Sequence, residues 1–224
     1  MKQVALGGDF VPRNTNLTKD EASGIWSYTT TAQAPGIYGY YFTIDGIRSV
    51  DPSNLYSFGG AHYLKSYVEV KGDGTGEYWA LRDVPHGQLH ELWYKNPTLG
   101  LRHAVVYTPP GYDASAAKTY PAVYLYSGSG DNETYWSKIG RGNFVMDNLI
   151  AEGKVKPAVL VMPYGSTVVP SPPDGQEDAG GAGVYGVIAI GNDLVGSVIP
   201  EVEKNFKVGR EPKDRAIFGF SMGG

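Results

Sequence analysis

The sequence predicts an all-β sandwich followed by an α/β region built on a parallel sheet, and three observations carry that prediction. Residues 1 to about 70 read as short strands broken by turn residues. From about residue 100, apolar strand-like runs alternate with segments of helical spacing. The last of those runs, "RAIFGF", leads straight into Gly219-Phe220-Ser221-Met222-Gly223, a bend of the G-x-S-x-G type.

In the first region "VALGGDF" is followed by a polar stretch, by "GIWSYTTTA", and by the turn Ala34-Pro35-Gly36. "IYGYYFTIDGIRSVDP" is then split by Asp45-Gly46, residue types that accept the positive φ angles a two-residue hairpin turn needs. "HYLKSYVEV" supplies a last strand, and this spacing of strands and turns is that of an antiparallel sandwich. A Gly-rich linker is expected near Lys71 to Gly76.

In the second region "HAVVYTPP" and "YPAVYLYSGSG" are apolar runs that end in turn chemistry. "GNFVMDNLIAEG" has helical spacing at Phe144, Val145, Leu149 and Ile150 and closes on Gly153. "PAVLVMPYG" reads as another buried strand. "NDLVGSVIPEVEKNF" reads as a helix behind an Asn192 cap, with Pro200 as an interior break in the pattern. Strands this apolar, alternating with helices, imply a parallel sheet covered on both faces. Pro163 to Gly186 is irregular and longer than most structureless loops, which marks it as a candidate functional segment.

Bulk composition narrows the function. The chain is 42% apolar and 19% charged, with a formal net charge of -4, which argues against nucleic-acid or anionic-membrane partners, because both need a basic face. It has no cysteine, so disulfides, thiolate metal sites and a cysteine nucleophile are excluded. No apolar stretch approaches the roughly 20 residues of a membrane span, and Met1-Lys2-Gln3 leads into a strand-like segment and not into a signal peptide. The 17 tyrosines fit a β-rich half and also the surfaces that bind sugars or aromatic groups.

The bend carries the chemistry. Between a strand and a helix, G-x-S-x-G turns so sharply that only glycines fit two positions either side of the serine, whose hydroxyl is exposed at the carboxyl end of the sheet. Once a histidine removes its proton, that oxygen attacks an ester carbonyl, and backbone N–H groups hold the resulting oxyanion. Ser221 is the candidate nucleophile and the N–H of Met222 one donor. A second donor is expected from Ser127-Gly128-Ser129-Gly130, the loop after an earlier strand.

"YTPPGYDASAAKTYPAVYLYSGSGDNETYW", "NFVMDNLIAEGKVKPAVLVMPYG" and "DRAIFGFSMGG" together resemble the esterase D-like proteins of carbohydrate esterase family 1, the group of feruloyl and acetylxylan esterases. "VALGGDF", "GIWSYTT" and "PGIYGYYFTIDGIRSVDPSN" resemble the immunoglobulin-like module related to carbohydrate-binding module family 48. The resemblance implies an immunoglobulin-like sandwich over residues 1–71 and the N-terminal part of an α/β-hydrolase over residues 77–224. It implies a serine esterase acting on feruloyl or acetyl esters of xylan, with plant cell-wall polysaccharide as partner and an exported location. Ser221 would be the nucleophile, and Met222 with Gly128 and Ser129 the oxyanion hole. No cofactor and no metal are implied.

This sequence departs from the family in carrying Ser127-Gly128 where members often have His-Gly, and in having only three residues ahead of "VALGGDF". The triad order in these hydrolases is Ser, then Asp or Glu, then His, so both partners are expected after Ser221. The four histidines, His62, His86, His90 and His103, accordingly read as structural or surface residues. Trp136 is a candidate cleft residue, although it also suits packing under the next helix; Asp131 and Glu133 read as helix-capping acids. Two rivals stay open: a non-catalytic carbohydrate-binding or incomplete hydrolase chain, in which Trp26, Tyr38, Tyr40, Tyr41 and Phe42 stack on sugars, and a siderophore-ester esterase.

Overall fold

A computed structural model describes residues 2–59, 64–128, 130–165 and 183–224, which form two compact units, Met1–Glu77 and Tyr78–Gly224. His62, Ser129 and most of the irregular Pro163 to Gly186 stretch lie outside the described residues.

The first unit is all-β. Its strands are β1 (Val4–Gly8), β2 (Val11–Asn16), β3 (Thr18–Lys19), β4 (Trp26–Ser27), β5 (Gly36–Ile44), β6 (Ile47–Ser49), β7 (Ser57–Gly59) and β8 (Leu64–Val70). They pair antiparallel in the order β2-β1-β5-β8-β7, with β6 joined to β5, and β3-β4 form a separate two-stranded ribbon. The β5–β6 hairpin turns on Asp45 at φ 48° and Gly46 at φ 89°, the left-handed pair expected of Asp-Gly. The Asp45 side chain accepts hydrogen bonds from the backbone N–H of Lys2 (2.7 Å) and Gln3 (2.8 Å), so the turn also pins the start of β1. Only Trp26 and Ser27 of the "GIWSYTTTA" segment are extended in a ladder; Tyr28 is exposed and the threonines after it find no partner strand.

The second unit is a five-stranded sheet with helices on both faces. Its strands are β9 (Gln88–Asn96), β10 (Gly100–Thr108), β11 (Ala122–Tyr126), β12 (Val159–Pro163) and β13 (Arg215–Gly219), in the order β13-β11-β12-β10-β9. The sheet is mixed, which corrects the expectation of a purely parallel one. β11 pairs parallel with both β12 and β13, whereas β10 is antiparallel to β12 and to β9. The reason is local: β9 and β10 are joined by Pro97-Thr98-Leu99, too short for the crossover that parallel neighbours need.

Helices α1 (Tyr135–Lys138) and α2 (Gly142–Ala151) connect β11 to β12, and α3 (Gly183–Asp193), a π-helical turn (Leu194–Val198) and α4 (Ile199–Asn205) connect β12 to β13. α2 ends as its sequence requires, on Gly153 at φ 68°. Asn192 lies inside α3 and caps nothing, because the helix begins nine residues earlier; Pro200 falls in the first turn of α4, where its missing N–H is no loss.

Alternation along the strands feeds two cores. Ala104, Val106, Tyr124, Tyr126, Val159 and Val161 pack with Val198 and Val202. Val105, Tyr107, Leu125, Leu160 and Met162 form the other, with Trp136 and Met146 packed against it. Each fully buried valine or methionine here contributes about 1.5–3 kcal/mol relative to exposure.

Candidate active site

β11 and β13 end level, with Tyr126 opposite Gly219, and β12 ends at Pro163 opposite Ala104 of β10. The loops leaving this edge therefore meet. Phe220 donates its N–H to the carbonyl of Tyr126 (3.2 Å), which ties the bend after β13 to the start of the Ser127-Gly128 loop. Ser221 opens a 3-10 turn (Ser221–Gly223) at φ 56°, a left-handed conformation that costs a non-glycine residue on the order of 1–3 kcal/mol.

Packing explains the flanking glycines. A Cβ on Gly219 would overlap the carbonyl oxygen of Gly223, and one on Gly223 would lie 2.7 Å from the Tyr126 Cβ and 2.8 Å from the Ser127 carbonyl oxygen. Gly128 faces the serine directly, since a Cβ there would come 3.3 Å from that of Ser221. Ser221 is exposed, and among the described residues its hydroxyl has no hydrogen-bond partner. The serine is thus held strained, open and beside the loop from which a second oxyanion donor was expected. Ser129 lies outside the described residues.

Ser127 itself is buried, its Oγ without a partner, and Asp131 is buried with its Oδ2 directed at Gly128. Asn132 closes the loop by accepting from the N–H (3.0 Å) and hydroxyl (2.7 Å) of Thr134, just ahead of α1. The Tyr135 ring stacks nearly parallel on Phe220, centroids 6.1 Å apart, a second link between loop and bend. Trp136, a residue of α1, packs edge-on to Phe218 at 5.9 Å and against the Val105–Leu160 core.

The described histidines are engaged away from Ser221. His86 Nδ1 lies 2.9 Å from Asp147, a buried carboxylate that also accepts from Tyr107 (2.6 Å) and from the Gly87 N–H (2.9 Å). His90 Nε2 pairs with the Thr108 hydroxyl at 2.9 Å, and His103 Nδ1 with Glu133 Oε1 at 3.0 Å. Among the described residues no group of three metal-ligating side chains converges. Glu133 corrects the capping reading: its carboxylate reaches β10 and leaves α1 without a side-chain cap.

A buried ionic network that sequence reasoning missed lies below the same edge. Arg102 Nε donates to Asp193 Oδ2 (2.8 Å), which also accepts from the Tyr94 hydroxyl (2.8 Å), while Asp193 Oδ1 accepts from Asn96 (2.8 Å). Arg102 also donates to the Tyr164 carbonyl, just beyond the end of β12. Desolvation pushes the hydroxyls of Tyr94 and Tyr126 far above the usual tyrosine range, so both stay neutral.

Ser221 is thus a strained, exposed serine at the carboxyl end of a helix-covered sheet, and known proteins bear on this part of the chain. Residues 99–224, more than half of the chain, match the Esterase family. The chain belongs to that family. It is 32% identical over 226 residues to an endo-1,4-beta-xylanase/feruloyl esterase of Xylanibacter ruminicola, an alignment that covers 99% of this chain and 30% of that protein. Among solved structures, a ferulic acid esterase from Anaeromyces mucronatus matches with a TM-score of 0.58 at 23% identity, over 68% of this chain and 55% of that one. The enterobactin esterase of Shigella flexneri matches with a TM-score of 0.62 at 16% identity, over 99% of this chain and 60% of its own. The Esterase-family chain thus has an esterase-like α/β fold, and it spans about a third of the bifunctional relative.

Proposed function

We propose that this Esterase-family chain forms the nucleophile side of a serine carboxylic-ester hydrolase that acts on feruloyl or acetyl esters of plant polysaccharide. The observation that carries the reading is Ser221 at φ 56°, exposed and set against Gly128. Ser221 Oγ attacks the ester carbonyl carbon as its proton passes to a base. The N–H groups of Met222 and of the Gly128–Ser129 loop stabilise the oxyanion, and the carbonyl re-forms as the alcohol leaves with that proton. Water then releases the acid and regenerates the serine. We assign the base and its orienting acid to a part of the relatives' length that this chain does not span, in line with the Ser, Asp or Glu, His order. Trp136 supports the loop from beneath.

The name of the Xylanibacter ruminicola relative supports the substrate class. We further read the Met1–Glu77 unit as the immunoglobulin-like module related to carbohydrate-binding module family 48, consistent with its antiparallel strands. Ser221→Ala in the native polypeptide should lower hydrolysis of methyl ferulate and of acetylated xylan by at least about a thousandfold; an unchanged rate would overturn the assignment.

A second reading is favoured by one observation: among the solved structures, the likeness to the enterobactin esterase extends over 99% of the chain and that to the ferulic acid esterase over 68%. On that reading the substrate is a catecholate trilactone. Comparing kcat/KM for the trilactone with that for methyl ferulate decides between the two, the larger value naming the substrate.

A further inference from the structure

Away from Ser221, the carboxyl edge of the sheet carries a second aromatic feature. Trp93 on β9 and His103 on β10 are direct cross-strand partners, and their rings stack with centroids 4.4 Å apart at 25°. Trp93 is 58% exposed although it is the largest side chain on its strand, whereas the His103 side chain is 14% exposed. His103 is fixed from behind by Glu133 Oε1 at 3.0 Å, and its Nε2 is buried. Its backbone carbonyl accepts the Tyr164 N–H (3.0 Å), which seats the pair beside the end of β12. An exposed tryptophan is normally mobile; this one lies on an immobilised ring and presents its other face outward.

Glu133 joins this feature to the elbow. It stands five residues after Gly128, the glycine that faces Ser221, in the loop that Asn132 rigidifies. Among the described residues its carboxylate pairs with His103 and so holds that ring in place. A flat, exposed aromatic ring is complementary to the apolar C–H face of a pyranose. We propose that Trp93, backed by His103 and Glu133, is a remote carbohydrate subsite that takes the polysaccharide side of the ester; this rests on the polysaccharide-ester reading of Ser221.

Sheet geometry sets its reach. From β13 to β9 there are four interstrand steps of about 4.8 Å, so the platform lies about 19 Å from the elbow, the span of several linked sugars. A single sugar bound at Ser221 falls short of it, and an oligosaccharide ester does not.

The test compares esters of different length in the native polypeptide. For Trp93→Ala, the ratio of KM for a feruloylated arabinoxylo-oligosaccharide of four or more sugars to KM for methyl ferulate should rise about threefold to tenfold, with Trp93→Tyr restoring it. An unchanged ratio, or equal loss on both esters, overturns the subsite. If the wild type hydrolyses neither ester, the reading of the reaction has failed, and the subsite is judged by calorimetry. Unesterified arabinoxylo-oligosaccharide should then bind the wild type and not Trp93→Ala, and failure to bind the wild type overturns it.

Discussion

The carbonyl oxygen of Gly223 occupies the space that any side chain on Gly219 would need. The two glycines are therefore a mutual requirement of the bend that strains Ser221. Gly219→Ala forces the 3-10 turn away from β13 and moves Ser221 off the Gly128 loop. On the proposed function, ester hydrolysis should fall at least about a hundredfold, because displacements near 1 Å at a reacting centre cost that much. Gly224→Ala, four residues from Ser221's own neighbour Phe220 and meeting only contacts of 3.4 Å or more, is the comparison that should cost far less. Equal activity of the Gly219 variant and wild type would refute the argument.

The Arg102–Asp193 pair is buried at 6% and 1% exposure and holds Tyr94, Asn96 and the Tyr164 carbonyl around it. Asp193→Ala leaves a buried guanidinium without its carboxylate, a change expected to cost about 3–5 kcal/mol. Replacing both partners with apolar residues, Arg102→Met with Asp193→Leu, should recover much of that loss. Urea denaturation of the three proteins measures it, and a single variant as stable as wild type would contradict the prediction.

These two sites show what the sequence made legible. The hairpin at Asp45-Gly46, the helix stop at Gly153 and the bend at Ser221 were readable because each is a local backbone demand that few residue types meet. β9 was not assigned as a strand, because its inward positions include Asn96 and His90 and its outward ones Leu89 and Trp93, which blurs the alternation. The partners Arg102 and Asp193 are 91 residues apart, and His103 and Glu133 are 30 apart; no local pattern announces either pair. The family resemblance rested on several contiguous segments, the Ser221 bend and the Ser127-Gly128 loop among them, and contiguous segments are what a sequence displays directly.

Buried tyrosines set the alkaline limit of the second unit. Burial pushes the Tyr124 hydroxyl up to about 12 and those of Tyr94, Tyr107 and Tyr126 further still. In the unfolded chain each ionises near 10. The neutral forms thus favour the folded state fully below pH about 10, and that stability is lost as pH rises from there through about 12 and beyond. Absorbance near 295 nm should show the exposed tyrosines ionising first, with the buried four following only as near-ultraviolet dichroism collapses. Ionisation of all 17 near pH 10 with the dichroism intact would refute this.

β13 is an edge of the sheet among the described residues, and it is apolar on both faces: Ile217 is 62% exposed and Phe218 59%, with Phe220 beyond the strand at 52%. An edge of this kind offers unpaired backbone groups and apolar side chains together, the combination that drives strand-to-strand association. A polypeptide of residues 1–224 should therefore associate as its concentration rises, with sedimentation velocity showing species larger than the 24.1 kDa monomer. Ile217→Lys places a charge on the edge at an already exposed position and should shift the distribution back toward monomer at little cost in stability. The strand's other edge, paired with β11 from Ala122 to Tyr126, is unaffected by that change, so the variant isolates the open side. A wild-type polypeptide that stays monomeric at every concentration and melts cooperatively would mean that the exposed residues of β13 are tolerated as they stand.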